Sequence, residues 1–496
     1  MSLQRRGTGD GRAGDDGGLA DPAWWRERQL AYLRVATTVD HPGSILNLLD
    51  HLTRARHEPA HTADLDARTP AVVEAWCRRI DTWADCADFD VLRLLALWHG
   101  HHDALPDHVR ATIRDRLLGF RYWYTDPGPE PPLHDSRWYW SENHRLIFHT
   151  VELLAGQALP DGSFTAAGLT GRRHVERATG RLHAWFDEKA DDGFTEWHSD
   201  AYTGKDLAPL LALAEWADDD TLRERAATFA DLVLVDLALH SHRDMHGSTH
   251  GRSYMRFKHA GPTQPTFAAL KLCFDRTDEP WPVDDGDPDE LLPLTEAATF
   301  LALCQRYRPP AVAVRIATSD AEIVDRESMG TAIDPGEPRR PDPVRADGLS
   351  YTDPEMIPFW WDRGALTPWQ VIPLTLDTLD RHRLWDGHLF ADLRGVRDVL
   401  GDDRETFQDL SHGLHRVVNP GLLTRVDTCT WRNRHAMLST AQSYRPGCSG
   451  YQHHVWQATL DERAVVFTTH PGHPPTDRAG DHLDGDRYWT GSATLP

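Results

Sequence analysis

From about Asp21 to about Leu400, apolar residues recur with the spacing of a helix face. Ile147, Val151, Leu154 and Ala158 fall at i, i+4, i+7 and i+11, and Leu222, Ala226, Phe229, Val233 and Leu237 repeat the pattern. That period lines one side of a helix, so each element is expected to pack by a single stripe. The same texture runs through "PAWWRERQLAYLRVATT", "SILNLLDHLTRARH", "AVVEAWCRRIDTWADCADFDVLRLLALWHGH" and "PDHVRATIRDRLLGF". Further helices are expected at 170–189, 203–216, 264–275, 292–307, 367–382 and 388–399. Helix following helix with loops between them predicts paired helices, stacked into an incomplete α/α toroid or barrel whose end loops form a cleft.

Past residue 400 the pattern changes. "HHVWQATL" and "AVVFTTH" alternate as strands do, between Pro/Gly turns. The expected fold is therefore mainly α with a C-terminal β part: a toroid over 21–400 and a short antiparallel β-domain over 401–496. The segment 326–350, rich in Pro, Gly and charge, reads as a linker or surface excursion. Residues 1–20 are Gly/Asp-rich with no apolar core, as in a disordered tail, and carry no secretory pattern.

A chain of 496 residues with formal net charge −23 has no general affinity for nucleic acid or anionic membrane, and no apolar run long enough to span one. Its six cysteines form no CxxC pair and read as reduced, buried thiols, which points to the cytoplasm, with export open if the N-terminus is incomplete. Nineteen Trp suit a sugar-binding cleft, because indole faces stack on sugar rings.

Three stretches hold candidate chemistry. In "RWYWSENHRLIF" Ser141 is a natural N-cap, which puts Glu142, Asn143 and His144 in a first helical turn. The helix dipole there favours an anion and a neutral His144 able to act as a base. In "DDGFTEWHSDAYTGK" Glu196, Trp197, His198, Ser199 and Tyr202 crowd one loop before a helix. The third, "HSHRDMHGSTHGRSYMRFKH", is basic in an acidic protein, with Arg252 able to grip a carboxylate in bidentate fashion. Its histidines at 240, 242, 246 and 250 match no strong zinc spacing, so no metal or other cofactor is expected.

Asn143 and His144, with Tyr202 placed 58 positions after His144 (202 − 144), resemble the arrangement in polysaccharide lyases built from an α/α toroid and a β-sheet domain, the alginate lyase and heparinase II/III-like group. The resemblance implies β-elimination on an anionic, uronic-acid-containing oligo- or polysaccharide. It implies Asn143, His144, Tyr202 and His198 as catalytic residues. Arg252, Tyr254, Trp140, Trp197, Glu142, Glu196 and His250 would contact substrate. Tyr254, Tyr351 and His412 are the weaker candidates for the family's further catalytic group. Two alternatives use the same residues differently. One is an inverting glycoside hydrolase with Glu142 and Glu196 as its acid/base pair, about 6.5–9.5 Å apart. The other is a non-catalytic carbohydrate-binding protein.

Overall fold

The computed structural model describes residues 18–38, 41, 43–61, 65–128, 135–258, 260–283, 293–340, 365–419, 422–445 and 452–468. The calls on the 1–17 part of the tail, on Tyr351 and on the 341–350 part of 326–350 lie outside these residues, whereas Arg326–Met329 are paired in a strand and so are no linker, and Gly18–Ala20 hydrogen-bond to the backbone at 309–311. Helices dominate, and the chain also forms a five-stranded antiparallel sheet.

Five helices are buried on nearly every side: α2 (Ile45–His57), α4 (Ala87–His101), α6 (Glu142–Ala158), α8 (Thr203–Trp216) and α12 (Glu296–Leu303). They pack in sequence, α2 on α4, α4 on α6, α6 on α8 and α8 on α12, and α12 returns to α2. The contacts therefore close a ring. Around it lie α1 (Pro22–Ala36), α3 (Leu65–Asp81), α5 (Asp107–Gly119), α7 (Gly171–Asp192) and α9 (Asp220–Leu239). The fully described α1, α5, α7 and α9 each bury one stripe and show charge to solvent, as their periodicity requires. The short α10 (Met255–Lys258), α11 (Phe267–Phe274) and α13 (Ala311–Thr318) complete this part.

Buried charges cross the ring. Glu296 of α12 accepts from Arg93 Nε of α4 at 2.7 Å and from Lys205 of α8. Arg93 also reaches Asp90 at 3.1 Å, and Asp90 takes Arg79 of α3 at 2.8 Å.

Small hairpins β1 (Ser163–Phe164) with β2 (Leu169–Thr170), and β3 (Ser241–His242) with β4 (Met245–His246), lie among the helices. The sheet runs β5 (Ile323–Met329), β6 (Val426–Arg432), β7 (Met437–Ala441), β8 (Trp456–Asp461) and β9 (Ala464–Phe467), each antiparallel to the next. The division expected at residue 400 is thus not a clean one. Strand β5 comes about a hundred residues before its partner β6, with Glu327 opposite Thr428. Between them lie α14 (Ile372–Arg381), α15 (Ala391–Leu400), α16 (Arg404–Gly413) and α17 (His415–Val418), the last two beyond the expected end of the helical part. No described helix is long and apolar enough to cross a membrane.

The start of α6 follows the sequence closely. Ser141 Oγ accepts from the His144 backbone N–H at 3.3 Å. Ser141→Ala should cost about 1 kcal/mol of stability, the usual worth of such a cap, read as a shift in the denaturant midpoint.

Candidate functional site

Glu142 organises the site from within the protein. Its Oε2 accepts from Lys189 Nζ at 2.7 Å and from the Thr195 N–H at 2.8 Å, and its Oε1 accepts from the Glu196 N–H at 2.7 Å. The first turn of α6 therefore carries the loop between α7 and α8. With both oxygens committed to a buried cation and two backbone donors, Glu142 is a brace. This corrects its expected roles as substrate contact and as a hydrolase acid or base.

That loop is fixed to the 247–254 segment as well. The Gly251 N–H donates to Trp197 O at 2.8 Å, and Ser199 Oγ donates to Arg252 O at 2.7 Å. A Cβ at Gly251 would lie 2.4 Å from the Trp197 indole, so only glycine lets the two segments meet.

These ties bring Glu196, Tyr202, Arg252 and Tyr254 to Asn143. The Glu196 carboxylate accepts from Asn143 Nδ2 at 3.2 Å and from Arg252 Nη1 at 2.8 Å. Arg252 Nη2 donates to Tyr254 Oη at 3.2 Å, and Tyr254 and Tyr202 share a hydroxyl hydrogen bond of 2.6 Å. The guanidinium lies 3.9 Å from the Tyr202 ring centre, a cation–π contact, and its Nε donates to Gln452 at 2.9 Å. Asn143 is fully buried and its Oδ1 has no hydrogen-bond partner. Tyr202 and Arg252 keep some exposure, which makes theirs the outward end of the cluster.

Burial sets the protonation states. It pushes the Glu196 carboxyl up to about 7, against the pull of Arg252 and with the help of Glu142. It holds the Tyr202 phenol well above its ordinary value, so Tyr202 is a proton donor at rest. Asp206 of α8 is also raised well above the carboxylate range, by burial and by the neighbouring Glu142 and Glu196. His144 departs from the dipole argument. Burial opposes its charge, but Asp88 of α4, 2.8 Å from Nδ1, more than offsets this and raises the pKa. His144 is thereby favoured as a cation, not as the neutral base expected from the helix end alone.

The other expected residues lie elsewhere. Trp197 is fully buried in a small core with Ile333, Val371 and Leu422, its ring 4.6 Å from that of Tyr444. Trp140 packs among Tyr124, Trp138 and Phe390 in the main core. Neither has an open face for a sugar, which corrects the stacking role given to both. His250 is buried against His454 and donates from Nδ1 to His198 O, so it supports the loop, which departs from the substrate contact expected of it. His198 turns away from Tyr202 toward Glu327 of β5, which corrects its role as a partner of that tyrosine. His412 sits on α16 against Trp369. Asp88 and Gln452 were not singled out from sequence, because their partners lie 56 and 200 residues away.

Compared with protein-family models, curated proteins and solved structures, the chain has no match in any of the three.

Proposed function

We propose that this protein cleaves a uronic-acid-containing glycan by β-elimination, as polysaccharide lyases do. The observation that carries the reading is the single hydrogen-bonded cluster Asn143–Glu196–Arg252–Tyr254–Tyr202, which joins a desolvated acid, a partly exposed cation and a phenol. β-Elimination needs those three groups. A cation neutralises the uronate carboxylate and stabilises the enolate-like intermediate; here Arg252 serves. A base removes the proton at C5. Glu196, oriented by Asn143 and with its carboxyl near 7, is matched to that task at neutral pH. The electron pair becomes the C4–C5 double bond as the C4–O bond breaks, and the Tyr202 phenol protonates the departing oxygen. The proton on Glu196 then passes to the Tyr202 phenolate through solvent, which restores both groups.

The hydrolase reading loses support because Glu142 is fully engaged. The substrate test compares a uronate polymer with the same polymer after reduction of its carboxyl groups. Cleavage and binding should vanish on reduction; equal cleavage of both would reject the assignment of Arg252 and of elimination.

The pH dependence follows from Glu196. Its base form is the ionised one, so kcat/KM should fall as pH drops below about 7 and level off above it. Profiles on uronate oligosaccharides would check this; a limb near the ordinary carboxylate value of about 4.5 would remove Glu196 as the base.

A further inference from the structure

Where the helical ring meets the sheet edge, four side chains from three distant segments converge: His198 of the α7–α8 loop, Asp236 and His240 at the end of α9, and Glu327 of β5. One ligand atom from each lies within 4.8 Å of all the others. His198 Nε2 is 2.9 Å from Glu327 Oε2 and 3.5 Å from Asp236 Oδ1. His240 Nδ1 lies 2.9 Å from the Asp236 carbonyl and 3.0 Å from Asp236 Oδ1, both acceptors, so Nδ1 carries the proton and Nε2 presents its lone pair. That lone pair faces Asp325 Oδ2 at 3.6 Å and Glu327 Oε2 at 4.0 Å, and Nε2 is buried with no hydrogen-bond partner. The two imidazoles stack with centres 3.8 Å apart.

We infer that His198, His240, Asp236 and Glu327 bind a divalent transition metal, zinc by ligand chemistry, which pins the loop carrying Glu196 and Tyr202 to the sheet. Zinc takes imidazole nitrogen and carboxylate oxygen at about 2.0–2.2 Å, so donors of a tetrahedral site lie about 3.3 Å apart and no two can be more than about 4.2 Å apart. Three separations within the group are 2.9, 3.5 and 4.0 Å and all four donors lie within 4.8 Å of one another, so an ion would draw the wider-set donors in by a few tenths of an ångström. The orphaned His240 Nε2 gains a partner in the ion, while Asp236 Oδ1 is already held 3.0 Å from His240 Nδ1. The Nδ1 hydrogen bond to a backbone carbonyl is the support a ligating imidazole commonly has. The histidines are buried while Asp236 and Glu327 keep partial exposure, which leaves an entry path. His198 holds a left-handed backbone, φ +45°, a conformation that a non-glycine residue keeps only where its surroundings enforce it. The inference does not depend on the reaction proposed above.

The test uses the full chain, purified with zinc present and dialysed, and then the chelator-stripped chain titrated with cobalt(II). Expected are about one zinc per chain by mass spectrometry, visible d–d bands of four-coordinate cobalt, and a melting temperature lowered by chelation. His240→Gln and Glu327→Gln should each weaken cobalt binding by roughly 100-fold or more. Absence of retained zinc together with absence of cobalt bands would overturn the site and leave His198 as a cation held by Glu327 and Asp236. Unchanged cobalt binding in both variants would overturn it also. A thiolate-to-cobalt charge-transfer band would do so too, by placing the ion at Asp85, Cys86 and His144, the other described group with suitable donors.

Discussion

Tyr202→Phe is expected to lower kcat on a uronate oligosaccharide by about 10²–10⁴-fold, the usual worth of a positioned acid or base, while substrate affinity stays within a few-fold. The phenyl ring keeps the cation–π contact with Arg252, whose guanidinium lies 3.9 Å from the ring centre. Only the hydroxyl that meets Tyr254 at 2.6 Å is lost. The change therefore removes the proton donor and leaves the carboxylate grip in place. Steady-state kinetics beside calorimetric binding would separate the two effects. Unchanged turnover would remove Tyr202 from the mechanism, and a parallel loss of binding would make it a substrate contact instead of an acid.

Glu296→Ala is expected to cost about 3–5 kcal/mol of folding stability, the range seen when one partner of a buried ion pair is removed. The carboxylate serves two cations, Arg93 at 2.7 Å and Lys205, and all three side chains are almost wholly buried. Truncation leaves Lys205 with no anion in hydrogen-bond contact and Arg93 with Asp90 alone. Because these groups stand on α4, α8 and α12, the loss falls on the contacts that close the inner ring. Urea unfolding would measure it. A cost below about 1 kcal/mol, typical of exposed pairs, would mean that water reaches these charges and that the ring is looser than described.

Local features were legible in the chain. The stripe and cap of α6 appear as Ser141 followed by Ile147, Val151 and Leu154, and α8 was expected at 203–216, where the structure has Thr203–Trp216. Both depend on neighbours a few residues apart. Strand β5 was missed for a physical reason. Its inward positions include Asp325 and Glu327, charged because they meet His198 and His240, so the apolar alternation of a half-buried strand is broken there. Trp197 was misread because a lone indole in a polar loop has no periodicity to reveal that Val371 and Leu422 cover it. The state of His144 depended on Asp88, on another helix, and no local pattern announces that pair. The meeting of Asn143, Tyr202 and Arg252 was expected only through resemblance to lyases. Glu196 was expected as a substrate contact or hydrolase acid; its place at the centre came from the folded chain, where it accepts from both Asn143 and Arg252.

The proposed chemistry is tested most directly by counting both product ends in one digest of a uronate polymer. Ultraviolet absorbance reports the C4–C5 double bond, and a reducing-sugar assay reports every cleavage. β-Elimination predicts one unsaturated end for each new reducing end, with both lost together in Tyr202→Phe. Reducing ends that accumulate with no ultraviolet absorbance would contradict it and return the site to hydrolysis.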